Sequence, residues 1–159
     1  MATAGCSCRH PACVQGTKTP AVLERRKSQQ PWPAVSGAAA AAVSTAVAAQ
    51  VPHALHLAVS AWAVLLAAVV YLTWGSARGE LQRPRLLAVQ TAGVLGFGAI
   101  AVLALSVDDD LGRYVLAGGW FGHAAWDAVH HWAGTVVPRW YAELCLAADL
   151  LLAASLILT

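Results

Sequence analysis

The chain has 159 residues, 58% of them hydrophobic and 11% charged. Soluble domains carry about 25% charged residues, so this composition cannot dress a water-facing surface and excludes a soluble globular enzyme. The formal net charge of +2 is too small and too scattered for nucleic-acid binding, which needs a concentrated basic footprint; the partner it implies is a lipid bilayer.

Residues 1–33 hold Cys6, Cys8, Cys13, several prolines and the basic run Arg25, Arg26, Lys27, without apolar periodicity, and read as a disordered tail. The segment from Cys6 through His10 to Cys13 gathers soft ligands, but zinc modules need separated ligand pairs that close a folded loop, so these read as solvated, reduced thiols. Residues 34–50 are almost pure Ala, Val, Ser and Thr, over a length shorter than a bilayer needs. Three readings fit this segment: a weak span, an interfacial helix, or a signal-like region with Ala46-Val47-Ala48 as its cleavage site. The long polar prefix and the lack of leucine argue against cleavage.

Residues 51–159 form the membrane domain. Ala54 to Trp74, Leu86 to Val107, Tyr114 to Trp132 and Trp140 to Leu158 each have the roughly 20-residue length that crosses a hydrocarbon core of about 30 Å as a helix. The fold class predicted is all-α, a polytopic transmembrane bundle of four spans with the Ala-rich segment as a candidate fifth. Trp74, Trp132, Trp140 and Tyr141 fall at span ends, where amphipathic rings settle among headgroups. Arg78, Arg83 and Arg85 place loop 75–85 on the cytoplasmic side of the cell membrane, which puts Asp108, Asp109 and Asp110 in an extracytoplasmic loop, 108–113, and Arg139 back inside. The aspartates read as loop solvation and a cap for the next helix, with Asp110 preceding Leu111. Glu143 stands at i, i+4 from Arg139, the spacing of a surface pair.

The last hairpin carries the polar residues that need explaining. Placing Asp at the centre of a span costs about 2.5–3.5 kcal/mol, so several such groups together imply partners or a role. At about 100° per residue, His123, Asp127 and His130 make one stripe on their helix, with His131 flanking it. Tyr141, Cys145 and Asp149 make a second stripe on the partner helix. With the turn centred near residue 136, antiparallel pairing matches residues whose numbers sum to about 272. His123 then meets Asp149, Asp127 meets Cys145, and His130 or His131 meets Tyr141. Gly118 and Gly122 form a small-xxx-small pair that would let a neighbouring backbone come close.

Three readings follow. His123, Asp127, His130, His131 and Asp149 are the residue types that hold zinc or non-haem iron, which would suit a membrane enzyme acting on a lipid-soluble substrate, with His123, Asp127 and Asp149 as candidate catalytic groups. Because His123 and His130 are two turns apart, one ion cannot take the whole stripe. A ladder of His, Asp and Tyr suits a proton relay or transporter, which needs no single point of convergence. In the third reading His123 and Asp149 simply pair to hold register, in an accessory subunit that meets itself or another membrane protein through its Gly- and Ala-rich faces. A haem shared between His53 or His56 and His130 is excluded, because their helices run parallel and place them at opposite faces.

The block His123-x-x-Trp126-Asp127-x-x-His130-His131, preceded by Gly119-Trp120 and followed by Pro138-Arg139-Trp140 and Asp149, resembles a bacterial family of small four-span membrane proteins, a domain of unknown function common in actinobacteria. The resemblance covers residues 54–158. It implies the four-span core and a shared polar motif on His123, Trp126, Asp127, His130, His131 and Asp149, and it brings no activity.

Overall fold

The computed structural model describes residues 31–48, 50 and 52–158; the cysteine cluster and the basic run of the N-terminal tail lie outside them. The described residues form five α-helices and no strand: α1 (Trp32–Ala48), α2 (His53–Ala77), α3 (Pro84–Ser106), α4 (Asp109–Ala133) and α5 (Arg139–Leu158), with a short 3-10 turn at Glu80–Gln82 between α2 and α3. Local signals set the boundaries. Gly79, at φ 70°, supplies the left-handed residue that ends α2, and Pro84, with its preset φ, opens α3. Asp108 caps α4 by accepting the Leu111 amide at 3.0 Å. The cap therefore falls two residues before the expected Asp110, which sits in the first turn beside Asp109. Gly134, at φ 62°, closes α4 by donating its N–H to the His130 carbonyl.

Among the described residues, three helices are long and apolar enough to cross a membrane: Leu55–Ala77, Pro84–Ser106 and Arg139–Leu158. α4 has 25 residues, roughly 37 Å of helix, but its Asp, Arg and His residues keep it out of that class. α1 is apolar but shorter.

Short connections make neighbours antiparallel, so α2 and α4 run the same way and α5 runs against them. α4 packs against α2, α3 and α5, and α1 packs along α5. α1 and α5 are parallel: Trp32 stacks on Trp140 at 5.9 Å, Gly37 lies so close to the Leu144 carbonyl that a Cβ would strike it, and Thr45 lines a cavity with Leu152. The residues paired in these three contacts keep a nearly constant offset in number.

Around an apolar core, burial departs from that of a water-soluble protein in two ways. Leu55, Val59, Trp62 and Leu66 on α2, and Leu95 and Val102 on α3, face outward, whereas Gln90, His123, Asp127, His130 and Asp149 are buried. Lipid as the outer solvent accounts for both halves of this pattern. The core between α2, α3, α4 and α5 is rich in alanine, including Ala61, Ala68, Ala101, Ala117 and Ala153, and small residues let helices approach closely where no water drives them together. Close approach occurs at Gly112, where a Cβ would stand 2.5 Å from the Ala104 carbonyl oxygen, and at Gly119, where it would stand 2.8 Å from Ile100. The expected pair does not mediate it: a Cβ at Gly118 would find open space, and one at Gly122 only ordinary contact with Phe97.

Candidate functional site

α4 presents His123, Asp127 and His130 to the interior at i, i+4, i+7 spacing, and all three are buried. Asp149 of α5 arrives opposite His123, at the register that antiparallel pairing predicts. The His123 Nδ1–H donates to Asp149 Oδ2 at 2.7 Å, while Asp127 Oδ1 stands 3.6 Å from the same nitrogen. One imidazole edge thus faces two carboxyl groups from two helices. Candidate ligand atoms of His123, Asp127 and Asp149 all lie within 4.8 Å of one another.

Asp127 takes its hydrogen bond from a helix that the sequence pairing did not include. Tyr71 of α2, fully buried, donates its hydroxyl to Asp127 Oδ1 at 2.5 Å. Its ring also lies edge-on to His123 at 5.7 Å and to His130 at 4.9 Å between centroids, so this one side chain spans the α4 stripe. Cys145 lies close enough to Asp127 to feel its charge, as the pairing predicts, but the hydrogen bond to Asp127 comes from the phenol. Cys145 stays on α5, in the same stripe as Tyr141, and Tyr141 packs on Tyr71 and Trp74.

His130 is a step further along. Its Nδ1–H donates to the Trp126 carbonyl at 2.8 Å, which leaves Nε2 as an acceptor for the side-chain N–H of Gln90 on α3, also at 2.8 Å. His130 therefore does not join the three-residue cluster, nor does it meet Tyr141. His131 is half-buried at the edge and faces away from the cluster: its Nδ1 lies 3.5 Å from Glu143 Oε1 and 3.4 Å from the Arg139 carbonyl. Glu143 thus faces His131, not Arg139.

The turn after α4 covers this end of the site. Val136 and Val137 are buried against Tyr71 and Ala142, and the Val136 N–H donates to Glu80 Oε2 at 3.2 Å. Val136 has φ 68°, a left-handed conformation that β-branched residues rarely hold. Four buried side-chain atoms in this region, His123 Nε2, Asp127 Oδ2, Gln90 Oε1 and Trp126 Nε1, have no hydrogen-bond partner among the described residues. Each such atom costs about 1–3 kcal/mol, so the set is polar beyond what register alone requires.

Tyr71 and Gln90 were not singled out from sequence. Gln90 carried a signal, being a lone amide within a predicted span; Tyr71, in a long apolar run, carried none that separates it from an ordinary core aromatic. Compared with known proteins, the chain matches no family model, no curated protein and no solved structure.

Proposed function

We propose that this chain is a multi-pass protein of the cell membrane in which α2, α3, α4 and α5 span the bilayer and α4 carries a proton relay. In this reading loop 75–85 is cytoplasmic, which Arg78, Arg83 and Arg85 favour, and loop 108–113, one crossing away, is extracytoplasmic. α1, parallel to α5, is a short fifth crossing. The polar block of α4 keeps the chain a candidate for the actinobacterial four-span family it resembles.

The observation that carries the relay is the His123 edge shared by two carboxyl groups, 2.7 Å from Asp149 and 3.6 Å from Asp127. Uncompensated charge in hydrocarbon is expensive. Two carboxyls and one imidazole reach neutrality together with two added protons. In the relaying state Asp149 carries the shared proton and His123 keeps its own on Nε2; transfer to Nδ1 leaves a carboxylate and an imidazolium, which passes the Nδ1 proton to the Asp127 carboxylate and returns to neutral. Beyond Asp127 toward the arginine-bearing end lie the Tyr71 hydroxyl, hydrogen-bonded to Asp127, and His130, hydrogen-bonded to Gln90; Tyr71 and His130 touch only through their rings, so a proton crossing that step needs a bridging water.

Proton flux into liposomes that enclose a pH-sensitive dye tests the proposal. His123→Ala and Asp149→Asn should each bring flux down to the protein-free level. Flux unchanged by both substitutions would eliminate the relay.

A second reading rests on the same cluster. One divalent cation neutralises two carboxylates as two protons do, and the His123, Asp127 and Asp149 ligand atoms within 4.8 Å are a donor set suited to zinc or iron. It makes the chain a metal-dependent membrane enzyme. Metal content of the purified protein decides it: zinc or iron should fall in Asp127→Ala, and equal content in both proteins removes this reading.

A further inference from the structure

Residues of α1, α2, α4 and α5 line a half-open cavity of roughly 150 Å³, among them Ser44, Thr45, His56, Ser60, Trp120 and Leu152, with Ser44 at its exposed edge. In a bundle whose other surfaces are mostly alanine, valine and leucine, three hydroxyls, an imidazole and an indole N–H around one space are a concentration of polarity. The hydroxyls retain bonding capacity. Ser44 and Thr45 donate to carbonyls of their own helix, Ala40 and Ala41, which leaves their oxygen lone pairs. Ser60 accepts the Trp120 Nε1–H at 2.9 Å and keeps its own hydrogen to give. An ordered water needs two to four polar partners and about 30 Å³ of space, and this cavity has room for more than one water and enough polar groups to hold at least one.

Its position gives it a role. Trp120 precedes His123 by three residues on α4, and Leu152 follows Asp149 by three on the antiparallel α5. Both line the cavity one helical turn from the His123–Asp149 pair, on the side facing the Asp108 end. The centroids of the Trp120 and His123 rings are 6.5 Å apart. On the opposite side of the pair, Asp127, Tyr71, His130 and Gln90 lead toward the arginine end. The cavity and the polar run therefore lie on opposite sides of the His123–Asp149 pair, with Trp120 and Leu152 standing between the pair and the cavity.

We infer that this cavity is a hydrated vestibule that brings water from the Asp108 end to the His123–Asp149 pair, with the Trp120 indole, tied to Ser60, as the barrier between them. The inference deepens the relay reading and rests on it for its purpose, but its physical content is water access, which is measured without flux.

The test uses the full chain with Cys6, Cys8 and Cys13 replaced by serine and Cys145 by alanine. Ser60→Cys, Thr45→Cys and the lipid-facing control Leu66→Cys are placed in this background, in membrane vesicles. A membrane-impermeant cationic thiol reagent, which attacks thiolates and so requires water at the site, is added to one side at a time. From the Asp108 side, Ser60→Cys and Thr45→Cys should react on the order of tenfold faster than Leu66→Cys, because a thiol in lipid does not ionise. Trp120→Phe, which keeps the ring and loses the bond to Ser60, should raise proton flux in the wild-type background. Rates for both cavity positions equal to that of Leu66→Cys, in protein that elutes as wild type, overturn the vestibule, even where flux still depends on His123. Fast labelling with flux indifferent to His123 upholds the vestibule and removes the relay.

Discussion

The Tyr71 hydroxyl is the hydrogen-bond donor that Asp127 Oδ1 has at 2.5 Å, and Asp127 Oδ2 already lacks one among the described residues. Tyr71→Phe leaves the carboxyl in the interior without that bond, so it should lower stability by about 1–3 kcal/mol, read as a fall in melting temperature in detergent. A variant as stable as wild type would mean that Asp127 finds another donor. Val136 allows a sharper comparison. At φ 68° a side chain with a Cβ carries a strain of about 1–2 kcal/mol that glycine does not. Val136→Gly should therefore be at least as stable as Val136→Ala, reversing the usual order, in which glycine is the weaker by roughly 0.5–1 kcal/mol. A higher melting temperature for the alanine variant would contradict this. At this scale the sequence is legible where polarity is out of place. His123 and Asp149 could be paired in advance because each is anomalous in an apolar run and their numbers obey antiparallel register. Tyr71 could not, since a tyrosine among valines and leucines looks like packing until Asp127 is seen beneath its hydroxyl.

Helices differ in how much of their role is local. The bounds of α3 and α4 follow from Pro84, Asp108 and Gly134, signals carried by single residues. The place of α1 does not. Its alanines and valines have too little transfer free energy to declare a span, and their significance arises from packing, since Gly37 admits the Leu144 backbone and Trp32 stacks on Trp140. The misjudged glycine pair on α4 has a related cause: Gly118 and Gly122 are correctly spaced, but helix rotation turns Gly119 toward Ile100 instead, and rotation is set by neighbours, not by spacing. If Gly37 seats α1, Gly37→Leu should push it from α5. With cysteines at Trp32→Cys and Trp140→Cys in a background without other cysteines, a short bismaleimide should cross-link the chain efficiently, and adding Gly37→Leu should abolish the product. Undiminished cross-linking would show that α1 is held by something other than this contact.

Across the molecule, arginine is concentrated at one end. Arg78, Arg83, Arg85 and Arg139 gather where α2 and α4 finish, whereas at the other end, where Asp108, Asp109 and Asp110 begin α4, Arg113 pairs with Asp110. Reporter fusions should therefore read loop 75–85 as cytoplasmic and loop 108–113 as external, and replacing Arg78, Arg83 and Arg85 together by glutamine should give mixed orientation. A uniform orientation in that variant would place the determinant elsewhere. That the chain belongs in lipid was legible from composition alone, because the proportion of charged residues does not depend on fold; that α2 supplies a side chain to the site was not, because it requires the helices to be assembled. The central position of α4 bears on synthesis as well. Its carboxyls and imidazoles find their partners on α2, α3 and α5, yet the ribosome completes α4 before the segment bearing Asp149 exists. Leaving the translocon alone, α4 would expose those groups to acyl chains, so it should wait and enter together with α5 as a hairpin. A chain halted after Pro138 and extended by a glycosylation acceptor should receive its sugar on the lumenal side, and the same acceptor placed at that point in the complete chain should stay unmodified.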